Sequence, residues 1–205
     1  MILISDGDRG MTTFEPILFE EEAPPPHAAH CERCELSRHR QRVVWGEGNP
    51  NAPVMIILDN PGAREDREGR PFVCGTRETL QYGMEQAGLK TRLTYVTYLL
   101  KCRPVRAYDK PLAREACRAH LQFQLNAKAP QLLLGLGNTV AQALLNDPDA
   151  EVKHLRGKWH QVEGRSIAFS YHPLAVRRRP NLMSRFIEDL TRVSASIHSM
   201  LKMNQ

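Results

Sequence analysis

Four cysteines have the residue type and the spacing to bind a metal. Cys31 and Cys34 form a Cys-x-x-Cys pair, and Cys102 and Cys117 follow far downstream, the last of them on a predicted helix. Because two intervening residues let a turn present both sulfurs to one centre, the set predicts a single four-thiolate metal site. Buried unpaired cysteines are the alternative, and spacing does not separate zinc from an iron–sulfur cluster. Cys74 is left over, and we expect a small buried or pocket-lining thiol there.

The length of 205 residues allows one domain with a full hydrophobic core, and nothing in the chain requires a second. No apolar run approaches a membrane span, and Asp6 and Asp8 interrupt the apolar start. We therefore expect neither a signal peptide nor a transmembrane helix. The protein is expected to be cytoplasmic. A reducing compartment favours metal ligation over disulfides for the cysteines.

The distribution of charge indicates a nucleic-acid partner. The isoelectric point is near 9.1 although the first residues are acidic, so the basic surface belongs to the rest of the chain. Basic side chains concentrate at residues 33–42 and at Arg177, Arg178 and Arg179. Such a surface suits a phosphate backbone, and an ordinary solvated charged face is the alternative.

The order of apolar and polar segments predicts an α/β fold. Residues 1–29 are acidic and end in three prolines, which predicts a flexible leader, and residues 30–205 form one domain. Within it, short apolar runs alternate with amphipathic segments, as in parallel sheets with helices on both faces. The predicted strands are 54–58, 93–100, 131–136, 159–162 and 166–170, and the predicted helices are 76–87, 112–127, 139–145 and 181–200. In such folds the ligand lies at the carboxyl ends of the strands, where loops 61–74 and 172–180 should converge.

Three segments carry recognisable motifs. The first runs from Val-Val-Trp-Gly-Glu-Gly-Asn-Pro at 43–50 and Val-Met-Ile-Ile-Leu-Asp-Asn-Pro-Gly at 54–62 to Glu-Asp at 65–66 and Gly-Arg-Pro-Phe-Val at 69–73. The second is Lys-Cys-Arg-Pro at 101–104 with Cys117, and the third is Tyr-His-Pro at 171–173. In order and spacing, from about residue 31 to 195, they resemble the first active-site motif, the cluster-ligand segment and the His-Pro-Ser segment of the family 4 uracil-DNA glycosylases.

The resemblance implies a fold, a cofactor and an activity. The fold is a three-layer α/β/α sandwich with a central, mainly parallel four-stranded sheet. The cofactor is a structural [4Fe-4S] cluster on Cys31, Cys34, Cys102 and Cys117. The activity is that of a monofunctional DNA glycosylase, which hydrolyses the N-glycosidic bond of a base and leaves an abasic site.

The sequence departs from the family pattern at residues 58–60 and at positions 74, 98 and 174. Residues 58–62 read Leu-Asp-Asn-Pro-Gly where the family usually has Gly-Glu-Ala-Pro-Gly, and Asn60 matches the mismatch-specific and single-strand-selective branches of the superfamily. Tyr98 replaces the asparagine that reads the uracil edge. Leu174 stands where the His-Pro-Ser segment has serine, and Cys74 where glycine is usual.

The base pocket must receive a nucleotide extruded from the DNA stack, because the anomeric carbon is unreachable inside it. We expect Phe72 to stack on the flipped base, with an ordinary core phenylalanine as the alternative. Tyr98, Pro61, Gly62 and Cys74 are expected to contact the same base.

The predicted catalytic residues are Asn60, His172 and Asp59. His172 would stabilise negative charge on the departing base oxygen, although a lone histidine can also be structural. The amide oxygen of Asn60 would orient the attacking water. An amide is no general base near neutral pH, so we expect a dissociative mechanism. Asp59 is the alternative base, a stabiliser of the sugar cation, or a carboxylate that caps the next loop.

The segment 174–179, Leu-Ala-Val-Arg-Arg-Arg, has the composition of a minor-groove wedge on a loop. Leu174 or Val176 would fill the space left by the flipped base. Arg177, Arg178 and Arg179 would contact flanking phosphates, with a solvated arginine run as the alternative.

Tyr98 bears most directly on the substrate. Replacing an amide by a phenol should weaken uracil recognition and change the pocket shape. We therefore predict a modified pyrimidine, such as a hydroxymethylated or glucosylated cytosine of phage DNA, and a role in defence against phage. The alternatives are an ordinary uracil repair enzyme, a catalytically weak iron–sulfur DNA-binding module, and a zinc-dependent DNA-binding protein. DNA is the expected partner of a monomer that uses no nucleotide cofactor.

Overall fold

A seven-stranded mixed sheet forms the centre of the fold in the computed structural model, which describes residues 14–67 and 74–203. The strands are β1 (Glu21–Glu22), β2 (Gly46–Gly48), β3 (Val54–Leu58), β4 (Thr94–Tyr98), β5 (Leu132–Leu136), β6 (Trp159–Val162) and β7 (Arg165–Ser170). Their order is β1-β2-β4-β3-β5-β7-β6.

The prediction of four strands is corrected by this sheet. Strands β4, β3, β5 and β7 are parallel, as expected, but β2 and β1 extend one edge and β6 the other, all in antiparallel pairing. β6 was among the predicted strands, whereas β1 and β2 carry only Glu-Glu and Gly-Glu-Gly. Segments without apolar residues lack the hydrophobic pattern that predicts a strand, so only the tertiary pairing reveals them.

Helices cover both faces of the sheet and make the three layers. They are α1 (Pro26–Ala29), α2 (Gly75–Gln86), α3 (Lys110–Lys128), α4 (Asn138–Leu145), α5 (Val152–Leu155), α6 (Pro173–Arg178) and α7 (Met183–Met203). On one face, Ile56 and Leu134 join a core with α2 and α7, while on the other Met55 and Leu133 join α3 and α4. Strands β3 and β5 are buried throughout, which explains their unbroken apolar runs. The predicted α/β/α sandwich is confirmed.

The predicted strands 159–162 and 166–170 and the predicted helix 181–200 are observed, with small shifts at their ends. The hairpin between β6 and β7 turns at Glu163 and Gly164, whose φ angles are 48° and 77°, as a two-residue turn requires. The apolar stripe of α7 is buried at Phe186, Leu190 and Ile197. The helix begins at Met183, after a short 3-10 turn at Pro180–Leu182.

Part of the acidic leader packs against the domain. Strand β1 pairs with β2, and Phe19 is buried in the core. The Gln81 side chain also accepts a hydrogen bond from the backbone N–H of Ile17 and donates one to its carbonyl oxygen, each at 2.8 Å. Residues 14–29 therefore contact the domain, and the division at residue 30 stays a prediction. No helix in the described ranges is long and apolar enough to cross a membrane.

Candidate active site and cysteine cluster

A cleft of about 610 Å³ opens at the carboxyl ends of the parallel strands. Asp59 and Asn60 follow β3, Tyr98 ends β4, and His172 lies two residues after β7. The predicted convergence of the two loops is thus observed. The cleft is lined by Leu58, Asp59, Asn60, Gly62, Ala63, Arg64, Glu65, Cys74, Thr76, Arg77, Tyr98, His172, Leu174, Ala175, Arg178 and Arg179.

Most of the predicted site residues lie together in this cleft. Pro61, Val176 and Arg177 are not among the lining residues that the structure describes, and Phe72 falls outside the described ranges. Sequence analysis placed Glu65 in the first motif without assigning it a role, and it did not single out Arg77 or Arg64. Each sits in a polar segment without a local pattern that distinguishes a pocket residue from a surface charge.

His172 is held by its neighbours in a defined tautomer. Its Nδ1 accepts a hydrogen bond from the backbone N–H of Leu174 at 3.1 Å, at the start of α6. Nδ1 therefore carries no proton, and Nε2 is the donor of the neutral ring. Gly137, at a φ of 99°, packs close to His172. A Cβ atom at this position would lie only 3.1 Å from Cβ of His172.

Asp59 lies beside that donor. Oδ1 is 3.4 Å from Nε2 of His172 and accepts the backbone N–H of Asn60 at 2.8 Å. Burial acts to raise the pKa of Asp59, but hydrogen bonds from the His172 ring and from the N–H of Asn60 bring it below the ordinary value. The side chain is thus a persistent anion. A carboxylate of lowered pKa suits electrostatic stabilisation of a cation better than proton abstraction from water.

The amide of Asn60 has a fixed orientation. Its Nδ2 donates to the carbonyl oxygen of Pro61 at 3.0 Å. Its Oδ1 takes no part in the hydrogen bonds that the described residues form. The oxygen is therefore the acceptor that this side chain offers to the cleft.

Tyr98 closes one end of the cleft together with Arg77. The phenol is 2% exposed, and its oxygen accepts a hydrogen bond from Nη2 of Arg77. Nε of Arg77 donates to Glu47, its partly buried ion-pair partner on β2. Burial raises the pKa of Tyr98 well above its usual value, so the phenol stays neutral.

Glu65 organises the loop that follows β3 and joins it to Cys74, the residue before α2. Its Oε2 accepts the backbone N–H of Gly62 at 3.0 Å, and its Oε1 accepts the Cys74 thiol at 3.0 Å. Cys74 is 7% exposed and lines the cleft, in accordance with the expectation of a pocket-lining thiol. Burial and the neighbouring Glu65 raise the pKa of Cys74, which keeps it protonated.

The expected wedge loop is instead the short helix α6, with Pro173 at its first turn. Val176 is fully buried in the core, so a wedge role for it is wrong. Leu174 is 38% exposed and remains a candidate. Arg177 is paired with Glu78 at 3.0 Å, close to Gly75, where a Cβ atom would lie 2.8 Å from the guanidinium group. Its charge is therefore partly neutralised by α2.

The four cysteines predicted as ligands are neighbours. Cys102 and Cys117 are buried in a third core cluster, against which Cys34 packs. Burial, countered by Arg40 and supported by the Cys117 and Cys34 thiols, raises the pKa of Cys102 to about 12. Burial raises the pKa of Cys117, and the Cys34 and Cys31 thiols raise it further.

Two arginines donate into this cluster of thiols. Nε of Arg33 donates to Sγ of Cys31 at 3.5 Å, and Nη1 of Arg40 donates to Sγ of Cys102 at 3.6 Å. Sulfurs become thiolates when they bind a metal centre, and guanidinium donors stabilise thiolates. The residues around the four cysteines therefore fit a four-thiolate metal centre. Across the described part of the chain, no three His, Cys, Asp or Glu side chains are arranged to hold a single metal ion.

Comparison with known proteins identifies the family. The family model described as the uracil DNA glycosylase superfamily matches residues 45–191. A type-4 uracil-DNA glycosylase of Archaeoglobus fulgidus is 33% identical over 171 residues, which cover 80% of this chain and 86% of that protein. A type-4 uracil-DNA glycosylase of Pyrobaculum aerophilum is 33% identical over 169 residues, which cover 78% of this chain and 86% of that protein.

A more distant relative lies in another branch. A type-5 uracil-DNA glycosylase of Pyrobaculum aerophilum is 27% identical over 163 residues, which cover 67% of this chain and 70% of that protein. The family-model match includes the cleft residues and, of the four predicted ligands, Cys102 and Cys117. The chain belongs to the uracil-DNA glycosylase superfamily, as its motifs predicted, and is an N-glycosylase-class enzyme similar to the type-4 branch.

Proposed function

We propose that the protein is a DNA glycosylase that flips out and excises a modified pyrimidine, with a hydroxymethylated or glucosylated cytosine of phage DNA favoured over uracil. The relatives are named as uracil-DNA glycosylases, which supports cleavage of a pyrimidine N-glycosidic bond. The preference for a modified cytosine is inferred from the closed end of the cleft. There Tyr98 replaces the family's asparagine and accepts a hydrogen bond from Arg77.

Bond cleavage proceeds by a dissociative path in this proposal. The bond between the anomeric carbon and the base nitrogen breaks, and its electron pair leaves with the base. Nε2–H of His172 donates to the base oxygen on which the negative charge grows. The Asp59 carboxylate stabilises the sugar cation. Water oriented by Oδ1 of Asn60 then attacks the anomeric carbon and loses a proton to solvent or to the departed base.

The mouth of the cleft supplies contacts for DNA. Arg178 and Arg179 are exposed there and provide cations for phosphates on either side of the flipped nucleotide. Leu174 is the apolar group at the same mouth that would occupy the space left in the stack. These positions support binding to duplex DNA with one nucleotide extruded.

The cysteine cluster is proposed to hold the [4Fe-4S] cofactor. Cys31, Cys34, Cys102 and Cys117 would be its ligands, and the type-4 relatives support this class of centre. The cofactor would join the segment around Cys31 to α3 and contribute no chemistry to base excision.

The chemistry of the closed end of the cleft supports a base other than uracil. Tyr98 offers a phenol where the resembling family reads uracil with an amide. Excision of bases that phages place in their own DNA would remove them selectively, because host cytosine lacks the substituent. Defence against phage is the biological role that follows.

Abasic-site formation tests this function. Matched duplexes carrying uracil, cytosine, 5-hydroxymethylcytosine or its glucosylated form are incubated with the protein and then cleaved with alkali. We expect strand breaks chiefly at the glucosylated base. Breaks at uracil alone would identify an ordinary repair enzyme, and DNA binding without any breaks would identify a catalytically weak module.

A further inference from the structure

The Arg77 side chain, which lines the cleft beside Tyr98, has a buried hydrogen-bond donor with no partner among the described residues. Arg77 is 4% exposed and lines the cleft, although it belongs to the first turn of α2. Its Nε donates to Glu47 and its Nη2 to Tyr98. Its Nη1 is buried and has no hydrogen-bond partner within residues 14–67 and 74–203.

A buried donor without an acceptor is costly, and arginine cannot remove the cost by losing its proton. The two existing contacts fix the plane of the guanidinium group, so Nη1 cannot turn towards another protein acceptor without breaking one of them. An acceptor brought in by a ligand would complete the set. This is the pattern of a recognition site whose polar group is satisfied only when the right substrate is bound.

The charges around Nη1 indicate what kind of acceptor fits. Arg77 contributes one positive charge, while Glu47 contacts it directly and Glu65, which also lines the cleft, lies close enough to act on it electrostatically. Two carboxylates thus surround one guanidinium group, and the neutral Tyr98 adds no charge. An anionic substituent would meet net repulsion here, whereas a carbonyl or hydroxyl oxygen would not.

We propose that Nη1 of Arg77 donates a hydrogen bond to a neutral oxygen or nitrogen acceptor of the flipped pyrimidine, and that this subsite selects neutral bases and substituents over anionic ones. Hydroxymethyl and glycosyl groups belong to the accepted class, and carboxylated or phosphorylated pyrimidines to the rejected class. The inference rests on the proposed base-flipping function but does not depend on which pyrimidine is excised.

Equilibrium binding tests the subsite separately from catalysis. Three matched duplexes carry a 5-hydroxymethyl pyrimidine, its 5-carboxyl analogue or a tetrahydrofuran abasic site, and a 2′-fluorine blocks cleavage of the first two. The pyrimidine ring is the one that the wild type excises, or cytosine if it excises none. The tested variant is Arg77→Lys, which retains a charge for Glu47 but loses the planar fork. Arg165→Lys, at an arginine that donates to Asn126 far from the cleft, is the matched control.

We expect the wild type and Arg165→Lys to bind the hydroxymethyl duplex at least tenfold more tightly than the abasic duplex. Arg77→Lys should lose most of that preference, by about tenfold or more, and bind the abasic duplex equally well. The carboxyl duplex should gain nothing over the abasic one. The double variant Arg77→Met/Glu47→Gln, which leaves no unpaired buried charge, should repeat the loss if Arg77→Lys proves unstable.

Distinct results separate the two proposals. An unchanged preference in both Arg77 variants overturns the subsite, as does equal weakening on the abasic duplex, which would show a merely structural role. Tighter binding of the carboxyl duplex by the wild type would overturn the charge selection. Absence of excision with the binding preference intact would contradict the proposed enzymatic function and leave the subsite standing.

Discussion

Nε2 of His172 lies 3.4 Å from Oδ1 of Asp59, and Nδ1 of the same ring accepts the backbone N–H of Leu174. The backbone thereby fixes the tautomer, and the only proton of the neutral ring faces the cleft. A bound base oxygen can take the place of Asp59 as its acceptor. The orientation of the ring thus suits the proposed stabilisation of an oxyanion before any substrate arrives.

Removing either proposed catalytic group should slow base excision without loss of DNA affinity. We expect His172→Ala and Asn60→Ala each to lower the single-turnover rate by about a hundredfold or more, since each removes a contact made in the transition state. His154→Ala, at an exposed histidine on α5, is the control and should retain the wild-type rate. Full activity in both site variants would remove this assignment.

Asp59 gives a specific pH dependence. Because its folded-state pKa is lowered, it contributes stability that is present above its ordinary pKa of 3.8 and lost as the pH falls through the folded value. The Tm advantage of the wild type over Asp59→Asn should therefore be constant at neutral pH and shrink below about pH 4. Thermal melts of both proteins across this range measure it. An advantage that appears only on acidification would mean that the pKa is raised instead.

The same substitution distinguishes two roles in excision. If Asp59 only stabilises the cation, Asp59→Asn should reduce the rate less than removal of Asn60. Single-turnover rates of the two variants on one duplex decide this. Activity abolished by Asp59→Asn alone would assign Asp59 as the base.

Tyr98 should set the choice of base. Tyr98→Asn is expected to gain uracil excision and lose activity on the modified cytosine, because it restores an amide and removes the acceptor that orients Arg77. Tyr98→Phe, which removes only the hydroxyl, is the matched comparison and should gain nothing on uracil. Single-turnover cleavage of uracil and modified-cytosine duplexes measures both. Efficient uracil excision by the wild type, unchanged in Tyr98→Asn, would count against this role.

Leu174 and Val176 should behave differently although they are two residues apart. Leu174→Ala is expected to lower excision from duplex DNA more than from single strands, because a wedge matters only where a stack must be filled. Val176→Ala should instead lower the free energy of unfolding by about 2 kcal/mol, since it removes fully buried methyl groups. Denaturant unfolding and duplex cleavage together measure the difference. Equal effects on duplex and single strands by Leu174→Ala would contradict the wedge.

The cysteines should divide into four ligands and one bystander. We expect Cys102→Ala and Cys117→Ala to lose iron and soluble yield, because metal binding and folding are coupled. Cys74→Ala should keep both, since its thiol contacts Glu65 in the cleft. Iron content per protein chain is the measurement. Equal iron in the wild type and Cys117→Ala would contradict the cluster.

The sequence by itself determined the elements whose patterns are local. The runs at β3 and β5 are apolar throughout because helices cover both faces, and the stripe of α7 repeats with the helical period. The motif around Asp59 and Asn60 is contiguous in the sequence, and so is the His-Pro pair at 172–173. Their order along an alternating strand–helix pattern was enough to place them at one edge of the sheet.

Tertiary structure alone decided the features that depend on distant partners. Strands β1 and β2 exist only through pairing, since their residues are polar. Val176 was expected at the surface, but α6 forms and turns it into the core. Arg77 looks like any charged residue at the start of a helix. Only the approach of Glu47 and Tyr98, 30 and 21 residues away in the chain, makes it a buried donor in the cleft.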